Sequence, residues 1–397
     1  MQPGSAPSSK LPVPDADSLA HSECVADFIR EAIASAGGSI SFAEFMHLAL
    51  YAPGLGYYNA GATKFGSAGD FITAPEVSPL FARVLARQCV PLLAPGTDSF
   101  ILELGAGSGA LALDMLKALP EFGVDAQCYS ILEVSPHLKL RQEQLIRSNR
   151  PELLRKVQWL EELPSQFCGV VIANEVADAL PVERFQKSAD SVRQYRVTVE
   201  DNRFSWCLEP APPFLEEAVL HIERTLGMRL PDGYVSEVST GLPAWIADIA
   251  SRLDRGFVFL FDYGVTRREY YAADRSNGWL RCHLRHRAHN DPLIYPGIQD
   301  LSAWVDFTAL AEGATEAGMD VAGFISQARF LMNGGLEAEL AGFERLSTAA
   351  QLELSRQVKM LTLPGEMGEH FKCLGLSRNA GAATPSSFVT GDRTHQL

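Results

Sequence analysis

The chain has 397 residues, of which 47% are hydrophobic and 21% are charged, a composition that excludes collagen-like, coiled-coil and largely disordered classes. Its 34 basic and 48 acidic residues give a net charge of -14. An extended nucleic-acid interface needs a basic surface to release counterions, so no nucleic-acid partner is expected.

Seven cysteines are scattered along the chain without a CxxC pair, which is typical of free thiols in a reducing compartment. No apolar run approaches the length of about 20 residues that a membrane span requires. The N-terminus carries neither an apolar signal core nor an Arg-rich presequence. We therefore expect a cytoplasmic protein with no membrane span. Residues 1–18 and 379–397 lack periodicity and are predicted to be disordered tails.

Residues 19–95 are predicted to form a helical N-terminal segment. Apolar positions recur at helical spacing over about 22–36. Ser41 followed by Glu44 is the pattern of a capping box, which predicts the start of a second helix. Residues 78–79, Ser-Pro, predict an N-cap and a proline at the first position of a third helix.

Residues 96–265 alternate short apolar strands with helices, which indicates a parallel sheet covered on both faces. The predicted strands are 100–104, 126–134, 157–160, 169–173 and 256–261. The alternation of strands and helices is interrupted over about 184–245. There, alternation across 192–206 predicts an antiparallel hairpin and a helix follows over 213–226. Residues 266–378 are assigned to a C-terminal, substrate-side region.

A glycine-rich turn follows the first strand of this rhythm. Glu103 comes directly before Gly105, Gly107 and Gly109, and the GxGxG spacing lacks the third glycine of the dinucleotide fingerprint. A carboxylate here would repel a pyrophosphate but attract a sulfonium or an ammonium group. Glu133 ends the next strand, where a carboxylate can accept both ribose hydroxyls of a nucleoside. These residues favour S-adenosylmethionine over NAD, with a plain strand-to-helix turn and a surface charge as the alternatives.

A second polar group follows the strand at 169–173. Asn174, Glu175 and Asp178 would lie at the carboxyl edge of the sheet, where open parallel sheets bind ligands. The two carboxylates could hold a guanidinium or an ammonium group. The alternative is a pair of acids favoured by the dipole at a helix N-terminus.

Two further segments remain without a structural explanation. The cap at residues 78–79 does not account for Asp70 or Glu76 in the preceding stretch. Residues 283–289 are rich in histidine and arginine, but their spacing matches no metal site, so no metal is expected. They are interpreted as a surface or substrate-facing basic strip.

Taken together, these motifs resemble the MidA-like S-adenosylmethionine-dependent methyltransferases. Mitochondrial members of that family act as complex I assembly factors and protein arginine methyltransferases. The matching pieces run in the family's order: LALYAPGLGYY (48–58), GDFITAPEVSPLF (69–81), ELGAGSG (103–109), LEVSP (132–136), NEVADALPVERF (174–185), FDYG (261–264), LRCHLRHRAHNDPLIYPGIQDLSAWVDF (280–307) and PGEMGEHFK (364–372). Ala106, Val176 and Ala177 depart from the family's usual residues, and the two at 176–177 bear on the shape of the substrate pocket.

The resemblance implies a class I methyltransferase fold of the Rossmann-like α/β type, with the site between a mostly parallel sheet and a second lobe. The expected cofactor-binding residues are Asp70, Glu103, Gly105, Gly107, Gly109, Glu133 and Asn174. The expected catalytic residues are Glu175, with Asp178 or Glu76 next.

The implied reaction is methylation of arginine on a protein partner. The alternatives are methylation of a small molecule or lipid, a non-catalytic assembly factor that keeps S-adenosylmethionine, and a dinucleotide oxidoreductase. The oligomeric state is left open, a homodimer being one option.

Overall fold

The computed structural model describes residues 11–60, 72–93, 100–124, 129–381 and 384–397. The strands are β1 Ser39–Ser41, β2 Phe100–Leu104, β3 Tyr129–Leu132, β4 Val157–Leu160, β5 Phe167–Asn174, β6 Glu183–Ser188, β7 Ser191–Glu200, β8 Arg203–Pro210, β9 Val235–Val238, β10 Leu253–Val265, β11 Leu280–Leu284, β12 Arg287–His289, β13 Asp300–Ala303, β14 Val305–Asp306, β15 Asp320–Ser326 and β16 Phe371–Arg378. The helices are α1 Ala16–Ser35, α2 Phe42–Tyr51, α3 Ala74–Val77, α4 Pro79–Cys89, α5 Ala110–Glu121, α6 Pro136–Asn149, α7 Pro213–Leu226, α8 Leu242–Arg252, α9 Arg267–Tyr270, α10 Phe307–Glu316, α11 Gln327–Asn333, α12 Leu336–Glu339, α13 Thr348–Thr362 and α14 Met367–His370.

The main sheet has the strand order β15-β16-β10-β5-β2-β3-β4. The five strands from β10 to β4 pair in parallel. At the other edge β16 pairs antiparallel with β10, and β15 pairs antiparallel with β16, so β16 alone runs against the other strands of this path. The order reverses at β2, since the chain moves outward to β3 and β4 and then returns to β5. Such a reversal opens a crevice beyond the carboxyl ends of the strands, and that is where α/β sheets bind ligands.

Both faces of the main sheet are covered, which explains its continuously apolar strands. On β5, Val170 and Ile172 pack against the helices α4 and α5 on one face. Val171 and Ala173 pack with residues of α8 and α10 on the other. The predicted mostly parallel α/β sheet is therefore observed.

A second sheet has the order β1-β7-β6-β9, with β8 paired to β7. It is built mainly from about residues 184–245, which interrupt the alternation of strands and helices. Its β7–β8 hairpin turns at Asp201 and Asn202, whose φ angles of 48° and 63° are those of a left-handed turn. The predicted hairpin is thus present, and α7 coincides with the predicted helix at 213–226. A third sheet, β12-β11-β13, comes from residues for which no regular structure was predicted.

The predicted domain boundaries at 95 and 265 need correction. The N-terminal segment divides, because α1, β1 and α2 pack on the second and third sheets whereas α4 packs on α5 beside the main sheet. The C-terminal region divides as well, since β14, β15 and β16 belong to the main sheet. Strands distant in sequence pair in space, so sequence order does not delimit the lobes.

The prediction of disordered tails is wrong for the described residues at both ends. Helix α1 already begins at Ala16, with Asp15 accepting the Ser18 N–H at 2.8 Å. At the other end Phe388 is 4% exposed, and the Arg393 N–H donates to the Phe324 carbonyl at 2.7 Å. One aromatic side chain that fills a core site is enough to anchor a polar tail. Among the described helices, none has the length and hydropathy needed to cross a membrane.

Candidate functional site

A cleft of about 840 Å³ lies at the carboxyl edge of the main sheet. Leu104 of β2 is in register with Leu132 of β3 and with Ala173 of β5. The residues that follow these three strand ends, among them Glu133 and Asn174, are therefore brought to the same edge. The pairing of the central strands thus unites the predicted turn with both predicted acidic segments.

The glycine turn has the backbone that its sequence predicts. Gly105, Gly107 and Gly109 have φ angles of 62°, 53° and 84°, in the left-handed region that favours glycine. A Cβ added at Gly105 would lie 3.3 Å from a methyl group of Val176. Gly105 and Gly107 line the cleft, so their bare backbone is open to close approach by a ligand.

Glu103 is buried beside this turn. Its carboxyl is 3% exposed and accepts the Tyr129 hydroxyl at 2.8 Å. Burial raises the pKa of Glu103 to about 8, and the nearby Glu133 charge adds to the effect against the Tyr129 hydrogen bond. The free protein therefore holds Glu103 largely protonated at neutral pH, and a cation bound beside it would favour the ionised form.

This raised pKa predicts a pH-dependent cost to stability. Because the pKa is about 8 in the folded chain and about 4.3 in an unfolded one, the folded state binds more protons between these values. The free energy of unfolding therefore falls as pH rises from about 5 to 8. We expect Glu103→Gln to reduce this fall, as measured by urea denaturation at pH 6 and pH 8. An identical pH dependence in both proteins would contradict the prediction.

Glu133 is held by its neighbours in an orientation suited to binding. It is 7% exposed; Oε1 accepts the Ser135 N–H and Oε2 accepts the Gln142 side-chain N–H, both at 2.9 Å. Gln142 is fully buried and also donates to the Gly107 carbonyl at 3.1 Å, while Trp159 donates to its amide oxygen at 2.9 Å. Sequence reasoning missed Gln142, which ties the glycine turn to Glu133.

Removing the Glu133 carboxylate should weaken cofactor binding without unfolding the chain. We expect Glu133→Ala to lower the affinity for S-adenosylmethionine by about 1–3 kcal/mol, because the ribose hydroxyls lose their acceptor. Isothermal titration calorimetry measures this directly. An unchanged affinity would reduce Glu133 to a charge at a strand end.

The acidic segment after β5 lies in the same cleft. Glu175 adopts a φ of 55°, which is uncommon for a residue other than glycine, and its N–H donates to the Phe261 carbonyl at 2.8 Å. Burial and the adjacent Asp178 raise the pKa of Glu175 to about 8. Asp178 is 6% exposed, and burial raises its pKa to about 6 against a hydrogen bond from the Tyr263 hydroxyl. Half-buried Glu175 and buried Asp178, both with raised pKa values, form a site that a cation would stabilise.

Asp262 fixes the loop that carries these two acids. It is 2% exposed, and its Oδ2 accepts the N–H groups of Ala177 and Asp178 at 2.9 and 3.2 Å. Its Oδ1 accepts the Tyr263 N–H at 2.9 Å. No role was predicted for Asp262, although it lies in the FDYG motif. It is a positioning residue that brings the ends of β5 and β10 together.

Among the described residues, two buried acceptor atoms at the acidic end have no hydrogen-bond partner, Oδ1 of Asn174 and Oδ1 of Asp178. The Asn174 amide nitrogen donates to Glu175 at 3.1 Å, so its oxygen remains for a ligand. Unpaired buried acceptors are costly and fit a ligand that brings N–H donors. Together with the open glycine turn and Glu133, these hydrogen-bond acceptors suit S-adenosylmethionine. Its ammonium group and its ribose hydroxyls are hydrogen-bond donors that need acceptors of this kind.

Two predicted site residues stand apart from the rest. Glu76 is absent from the cleft lining as described, and its carboxylate accepts the Thr73 N–H at 3.3 Å as part of a capping box on α3. Helix capping thus explains the position of Glu76, and its catalytic role stays a prediction. Asp70 lies outside the described residues.

The opposite wall of the cleft comes from the third sheet and from aromatic side chains. Arg281, His283 and Asp300 line it, as do the stacked rings of Tyr51 and Tyr58, 5.5 Å apart. The predicted basic strip is therefore divided: His283 lines the cleft, as does the neighbouring Arg281, whereas Arg285 and His286 form an exposed turn. Burial, together with the His289 and Arg281 charges, lowers the pKa of His283.

The chain is similar to proteins of one known family. The family described as "Putative S-adenosyl-L-methionine-dependent methyltransferase" matches residues 81–325. A protein from Burkholderia thailandensis crystallised with S-adenosyl-homocysteine is 40% identical, with a TM-score of 0.90 over 98% of this chain and 100% of that one.

Curated relatives include proteins named "Protein arginine methyltransferase NDUFAF7, mitochondrial". The one from Danio rerio is 28% identical over 88% of this chain and 86% of its own length. The one from Homo sapiens is 28% identical over 85% of this chain and 80% of its own length.

Proposed function

The chain belongs to the MidA-like family of S-adenosylmethionine-dependent methyltransferases, and from that premise we propose that it methylates arginine on a protein partner. The family, the Rossmann-like fold and the cofactor inferred from the sequence are confirmed. Arginine as the acceptor is supported by the names of relatives about 28% identical and by the chemistry of the cleft.

The acidic pair in the cleft carries the proposal. Glu175 and Asp178 lie in the cleft that also contains the glycine turn, and the pKa of each is raised by burial. An arginine side chain is planar, always charged and able to donate two parallel hydrogen bonds to a carboxylate. It can therefore donate to the unpaired Oδ1 of Asp178, and its charge offsets the desolvation cost of the two carboxylates.

When bound, S-adenosylmethionine supplies the methyl group, and this chain's residues orient the acceptor. Glu175 accepts N–H groups of the guanidinium and draws its positive charge toward one nitrogen, which leaves another nitrogen nucleophilic. Asp178, held by Tyr263 and by the Asp262 loop, supplies a second acceptor. Orientation of this kind provides most of the acceleration in a displacement that needs little acid–base chemistry.

The test is to incubate the purified chain with methyl-labelled S-adenosylmethionine and a lysate of the source organism, followed by mass spectrometry. We expect labelled methylarginine in a protein, with Glu175→Gln as the inactive control. Label confined to small molecules or lipids would favour the alternative acceptor class. Cofactor binding without any labelled product would favour a non-catalytic assembly factor. A cytoplasmic location stays a prediction.

A further inference from the structure

The lining of the cleft is rich in acidic side chains. Six of the described residues that line it are acidic: Glu103, Glu133, Glu175, Asp178, Asp300 and Glu366. Within the same described lining, Arg281 is the only lysine or arginine. Cationic ligand groups explain the acids, but they do not explain a guanidinium placed among them.

The position of Arg281 follows from the strand that carries it. Side chains alternate along β11, so Leu280, Cys282 and Leu284 are buried in the core beneath the third sheet. Arg281 and His283 point the other way and line the cleft. The alternation therefore presents Arg281 to whatever occupies the cleft.

Arg281 has no ionic partner in the described part of the chain. Its guanidinium donates one hydrogen bond, to the Leu280 carbonyl at 2.9 Å, and no described carboxylate oxygen lies within 4.0 Å of its nitrogens. Directly across the strand ladder is Ser302, which is 1% exposed and whose hydroxyl has no hydrogen-bond partner in the part of the chain that the structure describes. Within the described residues, Arg281 thus lacks an ionic partner and Ser302 lacks a hydrogen-bond partner.

We propose that Arg281, whose partner across the strand ladder is Ser302, forms a carboxylate-binding subsite of the cleft. A guanidinium binds a carboxylate through two parallel hydrogen bonds. A carboxylate entering this cleft meets six acidic side chains, and Arg281 is the only lysine or arginine of the described lining that can pair with it. Two sources can bring one: the amino-acid end of the cofactor, or an acidic residue beside the acceptor arginine. The second source rests on the proposed function, whereas the first does not.

Calorimetry tests the cofactor as the source. The variants are Arg281→Met, which keeps the stem and removes the charge, and Arg281→Lys, which keeps the charge and removes the planar fork. Arg287→Met is the matched control, because Arg287 is exposed on the same hairpin and does not line the cleft. The two ligands are S-adenosylhomocysteine and 5′-methylthioadenosine, which lacks the amino-acid end.

If the cofactor supplies the carboxylate, Arg281→Met weakens S-adenosylhomocysteine by about tenfold or more and leaves 5′-methylthioadenosine within about twofold. Arg281→Lys should retain part of the affinity, and the Arg287→Met control should bind both ligands as the wild type does. Thermal unfolding of each variant confirms that the fold is retained.

A peptide array tests the acceptor as the source. Each peptide carries one arginine with aspartate or asparagine next to it. If the acceptor supplies the carboxylate, S-adenosylhomocysteine affinity is unchanged in Arg281→Met, and the wild-type preference for aspartate peptides disappears in that variant.

Unchanged cofactor affinity together with an unchanged or absent aspartate preference overturns the carboxylate subsite. If the wild type methylates no arginine peptide and no protein arginine, the proposed function fails by itself. Calorimetry alone then decides the subsite, and unchanged S-adenosylhomocysteine affinity rejects it.

Discussion

Replacing Gly107 with valine is expected to abolish S-adenosylmethionine binding while the circular dichroism spectrum remains that of the folded chain. Gly107 lines the cleft with a φ of 53°, in a region that a β-branched residue adopts only with strain. The added side chain also occupies space that the ligand must approach. Calorimetry should detect no binding at concentrations that saturate the wild type.

The matched control for this variant is Gly227→Val. Gly227 has a φ of 66°, and a Cβ added there would meet nothing within 4 Å. The two variants share the backbone cost of about 1–2 kcal/mol, so similar losses of stability are expected, with cofactor binding lost in Gly107→Val alone. An unchanged affinity of Gly107→Val for S-adenosylmethionine would show that the glycine turn does not bind the cofactor. Tighter binding of NAD than of S-adenosylmethionine by the wild type would contradict the interpretation of Glu103.

Replacing Glu175 with glutamine should separate cofactor binding from methyl transfer. The substitution keeps the volume and removes the charge, so we expect S-adenosylmethionine affinity to stay within about threefold. Methyl transfer to an arginine-bearing protein should fall by about 10²-fold or more, a transition-state loss of about 2.7 kcal/mol. Exposed Glu152, which does not line the cleft, provides the control Glu152→Gln.

Each possible outcome assigns a role to Glu175. Equal losses of cofactor affinity and turnover would place it at the cofactor. Full activity would make it only an acid at the end of a strand. A selective loss of turnover supports its role toward the acceptor.

The raised pKa of Glu175 adds a pH signature to this variant. Only the ionised carboxylate pairs strongly with a guanidinium, and its pKa in the free protein is about 8. The quantity kcat/KM follows the free enzyme, so it should rise by about eightfold between pH 7 and pH 8.5 and then level off. In Glu175→Gln this rise should be absent. A wild-type profile that is flat over the same range would contradict the assignment.

Local features of this chain were predictable because each depends on residues a few positions apart. Ser41 and Ser78 cap their helices as predicted. The glycines before α5 adopt the left-handed conformations that their turn requires. The hairpin at 201–202 also follows from adjacent residues.

Contacts between distant segments were not predictable in this way. Gln142 is one polar residue on a polar helix until folding places it between Gly107 and Glu133. Asp262 accepts hydrogen bonds from the loop after β5 only because β10, which carries it, pairs beside β5. Phe388 fills a core site next to Gly375, where a Cβ would lie 2.7 Å from its ring, and so anchors the tail predicted to be disordered.

The sequence by itself determined the alternation of strands and helices, the cofactor turn and the acidic pair beyond the strand at 169–173, because these are written in spacing and residue type. Only the tertiary structure decided which lobe each segment joins, that Glu76 caps a helix, and that Arg281 faces the acids across one cleft. The same holds for the raised pKa values of Glu103 and Glu175. Burial and charge separation are properties of distances between segments far apart in the chain, and those distances exist only after the sheet has assembled.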